Sequence, residues 1–401
     1  QTNKHTWVAD CHGKAPLVLT YEVCAYDNSV RTAWLDASRG FFNGTSLCLR
    51  VHGQEQQPHT LEVSAPAAPT WSLATGLAAL KVDKKGFGLY AAAQYDELVD
   101  CPVEMGDFWV GKFTACGVPH RFVVAGAAPS FDGQRLLADT QKICETAIRF
   151  WHGQGKAPFT SYLFMLNAVN DGYGGLEHRN STALICGRRD LPRQGEARQS
   201  EGYTTLLGLI SHEYFHTWNV KRLRPAEFAG YDYDQENYTQ LLWFFEGFTS
   251  YYDDLLLRRA GLIDDATYLK FITKTINQVQ QTPGRQVQTV AQASFDAWVK
   301  YYRQDENTPN SQVSYYTKGS LVGLALDITI RAATNDEKSL DDVMRLLWAR
   351  YGDNVDGRNP GVPEDGVENV ASEVAGIDLT PFFDEYLRGT NDVPLGGLLE
   401  A

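Results

Sequence analysis

The feature that most constrains the fold of this chain is a change in hydrophobic period near Phe131. Before about residue 125, short apolar or alternating runs are separated by Gly, Pro and Asn, which is typical of antiparallel strands joined by turns. These runs are PLVLTYEVCAY, SLCLRV, LEVSA, GFGLYAAAQY and HRFVVAG. After Phe131 the apolar residues recur at helical spacing, as in residues 134–151. The sequence therefore predicts an α+β fold whose strands come first.

The chain divides into three predicted parts, because 401 residues are too many for one simple core. Residues 1–125 are predicted to form an antiparallel β-sandwich-like domain that is shortened at its start. Residues 126–335 are predicted to form a mixed α/β domain, and residues 336–401 a helical segment packed on it. Helices are predicted at 134–151, 203–218, 238–260, 265–280, 318–334, 339–351 and 367–375, and strands at 162–166 and 182–186.

Charge and hydropathy exclude two classes of function. The formal net charge of −13 and the pI of about 5.2 argue against nucleic acid as a partner, since its binding needs a concentrated basic face. The one local basic cluster, Lys221-Arg222-Leu223-Arg224, is interpreted as a surface or domain-contact feature. No run of about 18 apolar residues occurs, so no membrane span is predicted.

The cysteines bear on the compartment. The chain has seven of them, at positions 11, 24, 48, 101, 116, 144 and 186. Their number is odd and no C-x-x-C pair occurs, so we expect free buried thiols rather than a disulfide framework. This favours a reducing, cytoplasmic location. A periplasmic or secreted location stays open, because a signal peptide would lie outside this chain.

The pentapeptide His212-Glu213-Tyr214-Phe215-His216 carries the clearest chemical signal. On a helix, His212 and His216 lie on one face one turn apart, a spacing at which two imidazoles can share one Zn²⁺. Glu213 can then reach a water at the metal as general base. The alternative is a structural histidine pair on a buried helix. The apolar residues that flank the motif predict a buried helix, which would hold metal ligands rigidly.

A catalytic zinc site needs a third protein ligand, and Glu246 is the best candidate. It lies inside an apolar helical run, where an unpaired charge is costly unless it binds a metal. Glu236 is the rival, but its polar surroundings favour a solvated role. Asp253, two helical turns after Glu246, is predicted to hydrogen-bond the far nitrogen of a liganding histidine. The alternative for Asp253 is a surface carboxylate beside Asp254.

The segment HEYFHTWNVKRLRP, followed by the glutamate of FFEGFTSYYDDL, resembles the glycyl aminopeptidase family, a group of gluzincins related to aminopeptidase N. The resemblance extends to NDGYGGLEH at 170–178, SYYTKGSLVGLALD at 314–327 and SLDDVMRLLWARYG at 339–352. It covers nearly the whole chain. It implies that residues 126–335 form a thermolysin-like zinc peptidase domain with Zn²⁺ as cofactor.

The resemblance also implies roles for individual residues. The backbone of Gly174 and Gly175 would lie along the substrate as an extra strand, and Glu177 would bind the substrate's free α-ammonium. In isolation, the same block would be interpreted as a tight glycine turn before a strand. The wider superfamily usually has Asn where this chain has His178, which argues against simple transfer of a broad-specificity pocket.

The resemblance further implies that the Tyr-x-Lys-Gly segment supplies a phenol that donates a hydrogen bond to the developing oxyanion. It assigns this role to Tyr316, while the adjacent Tyr315 stays open as an alternative. The implied function is a zinc aminopeptidase that removes Gly or Ala from peptides with a free N-terminus. The alternatives are a zinc endopeptidase of the same fold and an inactive peptide-binding protein. The family commonly continues into a C-terminal PDZ-like domain, and this sequence stops about where that domain would begin.

Overall fold

The strands lie in the first half of the chain and most of the helices in the second, as predicted. The computed structural model describes residues 1–13, 16–352 and 360–400. Its strands are β1 (Ala33–Leu35), β2 (Arg39–Phe42), β3 (His59–Val63), β4 (Ser72–Thr75), β5 (Ala78–Val82), β6 (Gly88–Ala92), β7 (Val103–Gly106), β8 (Phe108–Ala115), β9 (Val118–Ala125), β10 (Tyr162–Val169), β11 (Gly174–Glu177) and β12 (Ser181–Gly187).

Two antiparallel sheets form the N-terminal region. One has the strand order β1-β2-β7-β4, and the other has the order β3-β6-β5. Both contribute to one apolar core, with Phe42 and Leu73 from the first sheet and Tyr90 from the second. The region is therefore the β-sandwich-like domain that the sequence predicts.

Two of the predicted strands do not form. Residues 16–26 run as an extended segment in which Tyr26 makes a single bridge with Trp34, and Val18 is 81% exposed. The other run, 46–51, begins in the last residues of a short helix, Gly44–Leu47, and continues without a strand. An alternating apolar run becomes a strand only where a neighbour pairs with it, and no described strand pairs with residues 16–24.

The second sheet-forming region contains a five-stranded mixed sheet with the order β11-β12-β10-β9-β8. Strands β9, β10 and β12 run parallel, while β8 and β11 are antiparallel to their neighbours. Strand β9, which ends at Ala125, pairs with β10 across the boundary predicted at residue 125. The domain division stays a proposal, and because β8 and β9 belong to the five-stranded sheet we propose a first boundary between β7 and β8, near residue 107.

The helices fill the spaces between and after the strands. They are α1 (Gly44–Leu47), α2 (Tyr95–Val99), α3 (Gly133–His152), α4 (Glu201–Phe215), α5 (Leu242–Phe245), α6 (Gly247–Arg259), α7 (Asp265–Gln280), α8 (Val290–Phe295), α9 (Thr308–Ser311), α10 (Thr317–Thr334), α11 (Leu340–Tyr351), α12 (Gly366–Ala375), α13 (Thr380–Phe383) and α14 (Leu395–Glu400). The helix predicted at 238–260 is interrupted at Glu246, which ends α5 and precedes α6.

Helix α4 lies inside the main core, against the five-stranded sheet on one side and α6 on the other. Ser200 caps its N-terminus by accepting a hydrogen bond from the Tyr203 N–H at 3.1 Å. Leu207 and Ile210 are fully buried. Because α4 is apolar on several faces, burial rather than a single amphipathic stripe fixes its position.

The C-terminal helices α11 and α12 add Leu347 and Val370 to the core that contains α4. This part of the chain therefore packs on the second domain; residues 353–359 lie outside the described residues. Among the described helices, none is both long and apolar enough to cross a membrane. The seven cysteines are free, but Cys11, Cys24 and Cys116 are exposed rather than buried, since they lie in the N-terminal segment and in the β8–β9 turn.

Candidate metal centre

Three elements bring the predicted ligands together. Helix α4 carries His212, and His216 is the residue at its C-terminal end. Glu246 lies at the junction of α5 and α6. The Nε2 atoms of His212 and His216 are 3.0 Å apart, and they lie 3.4 and 3.2 Å, respectively, from Oε2 of Glu246. The rival Glu236 is exposed and is not part of this cluster.

The far ring nitrogens of both histidines have acceptor partners. His212 Nδ1 lies 3.0 Å from Oδ2 of Asp253, and His216 Nδ1 lies 2.7 Å from the carbonyl oxygen of Asn219. A carbonyl or carboxylate oxygen can only accept, so each Nδ1 carries the proton and donates it. Each Nε2 of the neutral rings therefore presents a lone pair to the centre of the cluster.

The donor set fits a zinc ion. Two imidazole lone pairs and the carboxylate of Glu246 converge, and the three ligand atoms lie within 4.8 Å of one another. No donor to Glu246 Oε2 is found in the part of the chain that the structure describes. Three acceptors that face each other in a buried site are unfavourable unless a cation lies between them. Two histidines and one glutamate are a common protein ligand set of a catalytic zinc.

The pKa values of the clustered residues also favour a bound cation. Burial lowers the pKa of His212, but the carboxylates of Asp253 and Glu246 outweigh burial and raise that pKa well above its usual value. Burial raises the pKa of Glu246, yet His216 and His212 together bring it below its usual value. The site therefore attracts positive charge. A proton or a metal cation can supply that charge, and the two compete for the site.

Glu213 lies beside the cluster and is almost fully buried. Burial raises its pKa to about 7; the two histidines oppose this, while Glu177 and Glu246 add to it. Its Oε2 atom is buried and has no hydrogen-bond partner among the described residues. A side chain at Gly175 would overlap the Glu213 carboxylate, so the missing Cβ of Gly175 makes room for it. A carboxyl group with a pKa near neutrality is suited to proton transfer.

The tyrosine predicted to assist the reaction is brought in by α10. Gly247 packs so closely on Gly319 of α10 that a Cβ would lie 2.7 Å from the Gly319 backbone, which brings the start of α10 next to Glu246. Tyr316 immediately precedes α10, and its ring stacks on His212 with 6.3 Å between centroids. Tyr315 makes no ring contact with either histidine among the described residues, so Tyr316 is the residue that faces the cluster.

The glycine-rich block forms β11, the terminal strand of the five-stranded sheet. One side of β11 pairs with β12, and its other side has no strand partner among the described residues. Such an edge can pair with an extended peptide. Gly174 has open space where a Cβ would be, and Glu177 ends the strand half-buried.

Sequence reasoning missed two contributors to this region. Asn219 acts through its backbone carbonyl, which no side-chain pattern reveals. Asp100 contacts the turn after β11 and also Lys221, which agrees with the predicted domain-contact role of the basic cluster. The sequence shows Asp100 only as a carboxylate next to the apolar run at the end of α2. Its partners lie more than 75 residues away in sequence, so no local pattern connects them with Asp100.

Comparison with known proteins places these features in a family. A sequence profile of the M61 glycyl aminopeptidase family matches residues 205–322, and a profile of the M61 peptidase N-terminal domain matches residues 1–107. A search of curated proteins found no match. The crystal structure of an aminopeptidase N family protein from Idiomarina loihiensis is 43% identical, with a TM-score of 0.89 over 94% of this chain and 63% of that chain. The present chain thus spans less than two thirds of that relative.

More distant structures share the fold. The M1 zinc metallopeptidase from Deinococcus radiodurans is 16% identical, with a TM-score of 0.59 over 94% of this chain and 75% of that chain. A mutant of that enzyme has been solved with a Tyr-Ser-Ala substrate, at 16% identity and a TM-score of 0.59 over 94% of this chain and 76% of that chain. The two M61 profiles together cover more than half of the sequence, and the chain therefore belongs to the M61 glycyl aminopeptidase family.

Proposed function

We propose that this chain is a zinc-dependent aminopeptidase that hydrolyses the first peptide bond of peptides with a free N-terminus. The observation that carries the proposal is the convergence of three acceptor atoms from His212, His216 and Glu246, with no hydrogen-bond donor to Glu246 Oε2 among the described residues. These residues would hold the zinc ion. When bound, zinc supplies a Lewis acid that makes water nucleophilic near neutral pH and polarises the scissile carbonyl.

Glu213 would act as the general base and then as the general acid. Its buried Oε2 has no other hydrogen-bond partner among the described residues, so it is available to take a proton from the attacking water. The same carboxyl group would then donate this proton to the leaving nitrogen. Burial raises the pKa of this carboxyl group, which makes it a better proton acceptor than an exposed glutamate.

Tyr316 and Glu177 would position the substrate around the reacting bond. The Tyr316 hydroxyl would donate a hydrogen bond to the oxygen of the scissile carbonyl as negative charge develops on it. Glu177, at the end of β11, would bind the α-ammonium of the substrate. A fixed anion at a set distance from the cluster admits only the first peptide bond to the reacting position.

The free edge of β11 would align the peptide backbone. An extended substrate can add to this edge as a further strand, with its N-terminus towards Glu177. The preference for Gly or Ala at the first position follows from the family and is part of this proposal. Rates on Gly-, Ala- and Leu-amide substrates test it, and a clear preference for Leu would overturn it.

The decisive test of exopeptidase action uses one peptide in two forms, with a free and with an acetylated N-terminus. The proposal predicts that the free peptide loses its first residue and that the acetylated peptide resists cleavage. A zinc endopeptidase of the same fold would cleave both forms at similar rates. A peptide-binding protein without activity would bind the free peptide and cleave neither.

A further inference from the structure

The turn that follows β11 is held by a buried carboxylate from the N-terminal domain. Asp100, which follows α2, accepts hydrogen bonds from the backbone N–H of Arg179 at 3.0 Å and from its Nε at 2.8 Å. His178 Nδ1 lies 3.3 Å from the other oxygen of Asp100. His178 and Arg179 directly follow Glu177, so Asp100 holds the two residues next to the proposed amine-binding carboxylate.

Asp100 also pairs with Lys221, which lies five residues beyond the proposed ligand His216. Lys221 Nζ is 2.7 Å from Oδ1 of Asp100, and Asp100 is only 6% exposed. Burial lowers the pKa of Lys221, but Asp100, and to a lesser degree Tyr231 and Glu177, raise it above its usual value. Asp100 is the carboxylate in direct contact, and Glu177 makes no ion pair with Lys221 among the described residues.

A buried ammonium without an anionic partner is costly, and a lysine side chain is flexible enough to find another partner. If Asp100 lost its charge, Lys221 would need another carboxylate, and Glu177 lies only two residues before Arg179, whose backbone N–H Asp100 also binds. An ion pair between Lys221 and Glu177 would neutralise the negative charge of the Glu177 carboxylate, which the proposed function uses to bind the substrate's α-ammonium.

We propose that Asp100 is a positioning residue for substrate recognition: by binding Lys221 and the His178–Arg179 turn, it keeps the Glu177 carboxylate in place and free for the substrate's α-ammonium. The N-terminal domain thereby contributes to exopeptidase specificity without touching the substrate. This inference rests on the proposed aminopeptidase function.

The test compares Asp100→Asn with a matched control, Asp96→Asn. Asp96 lies on α2, the helix that precedes Asp100, and pairs with Arg179 Nη2 at 2.6 Å, but it has no contact with Lys221 or His178 among the described residues. The readouts are kcat and KM on a fluorogenic glycyl amide, together with zinc content. We expect Asp100→Asn to raise KM on the order of tenfold, the size of one charge-assisted hydrogen bond, while kcat and zinc content change little. Asp96→Asn should keep the wild-type KM.

A second substitution separates positioning from a general loss of structure. Replacing Lys221 with Met in the Asp100→Asn background removes the competing cation, so KM should return towards the wild-type value. If Asp100→Asn does not fold, Lys221→Met alone is informative: the proposal predicts an unchanged or lower KM, and a large rise would contradict it.

Three results would overturn the inference. They are an unchanged KM in Asp100→Asn, a fall in kcat alone, and a KM that the double substitution does not restore. These results differ from a failure of the proposed function, which would appear in the wild-type protein as an absence of cleavage or as equal cleavage of glycyl and N-acetylglycyl amides.

Discussion

Glu213 lies where the helix of the proposed metal ligands meets the edge strand β11. Replacing it with Gln keeps the size of the side chain but removes the proton acceptor. We expect kcat to fall by at least about a hundredfold, the usual contribution of general acid–base catalysis. Zinc content should stay at the wild-type level, because Glu213 is not a ligand in this account. The exposed Glu236→Gln variant is the control, and a Glu213→Gln protein with full activity would contradict the assignment.

A second prediction concerns Gly175. A Cβ added at this residue would overlap the Glu213 carboxylate, so Gly175→Ala should displace that group and lower kcat with the metal still bound. Steady-state kinetics and metal analysis of the purified variant test this. Gly230→Ala is the matched control, since a Cβ there meets no atom within 4 Å. Wild-type kcat in Gly175→Ala would show that the close approach has no catalytic role.

At the scale of elements, the contact of α4 with α6 orients the ligands. Asp253 on α6 accepts a hydrogen bond from Nδ1 of His212 and so fixes which nitrogen faces the proposed metal position. Asp253→Asn should weaken zinc affinity by about ten- to a hundredfold, and excess zinc should restore most of the activity. Competition with a chelator measures the affinity. Asp254→Asn, whose side chain makes no hydrogen bond to His212 among the described residues, should bind zinc like the wild type.

The sequence predicted most of these elements because their signals are local. The apolar surroundings of His212 and His216 predicted α4, and an acidic residue in an apolar run pointed to Glu246. The interruption at Glu246 was not predicted, since it depends on the close packing of Gly247 against Gly319. The strand predicted at 16–26 is absent for a related reason: its formation requires a partner strand, which periodicity cannot report.

In the whole molecule, Asp100 is one of the contacts between the N-terminal domain and the second domain. Burial raises the pKa of this carboxyl group, but Lys221 and Arg179 outweigh burial and hold it well below its usual value. Contacts of this kind join residues far apart in sequence, so neither Asp100 nor the boundary near residue 107 could be predicted from local patterns.

The pKa of Asp100 leads to a prediction for stability. The folded-state pKa lies below the unfolded value of about 3.9, so Asp100 stabilises the protein above that pH and the effect is lost as pH falls through the folded-state pKa. Asp100→Asn should cost about 3 kcal/mol near neutral pH, because it leaves buried cations without their partner. The difference in melting temperature between Asp100→Asn and the wild type should be smaller in acid than near neutral pH. An equal difference under the two conditions would contradict the prediction.

Every role proposed for the neighbouring residues depends on a zinc site formed by His212, His216 and Glu246. Metal analysis of the purified protein, after growth with zinc and removal of loosely bound metal, is the decisive measurement. We expect about one zinc per chain, held by three protein ligands as in other catalytic sites, and loss of that zinc in His216→Ala. Less than about half an equivalent of zinc in the wild-type protein would rule out this site, as would a His216→Ala variant that keeps its metal.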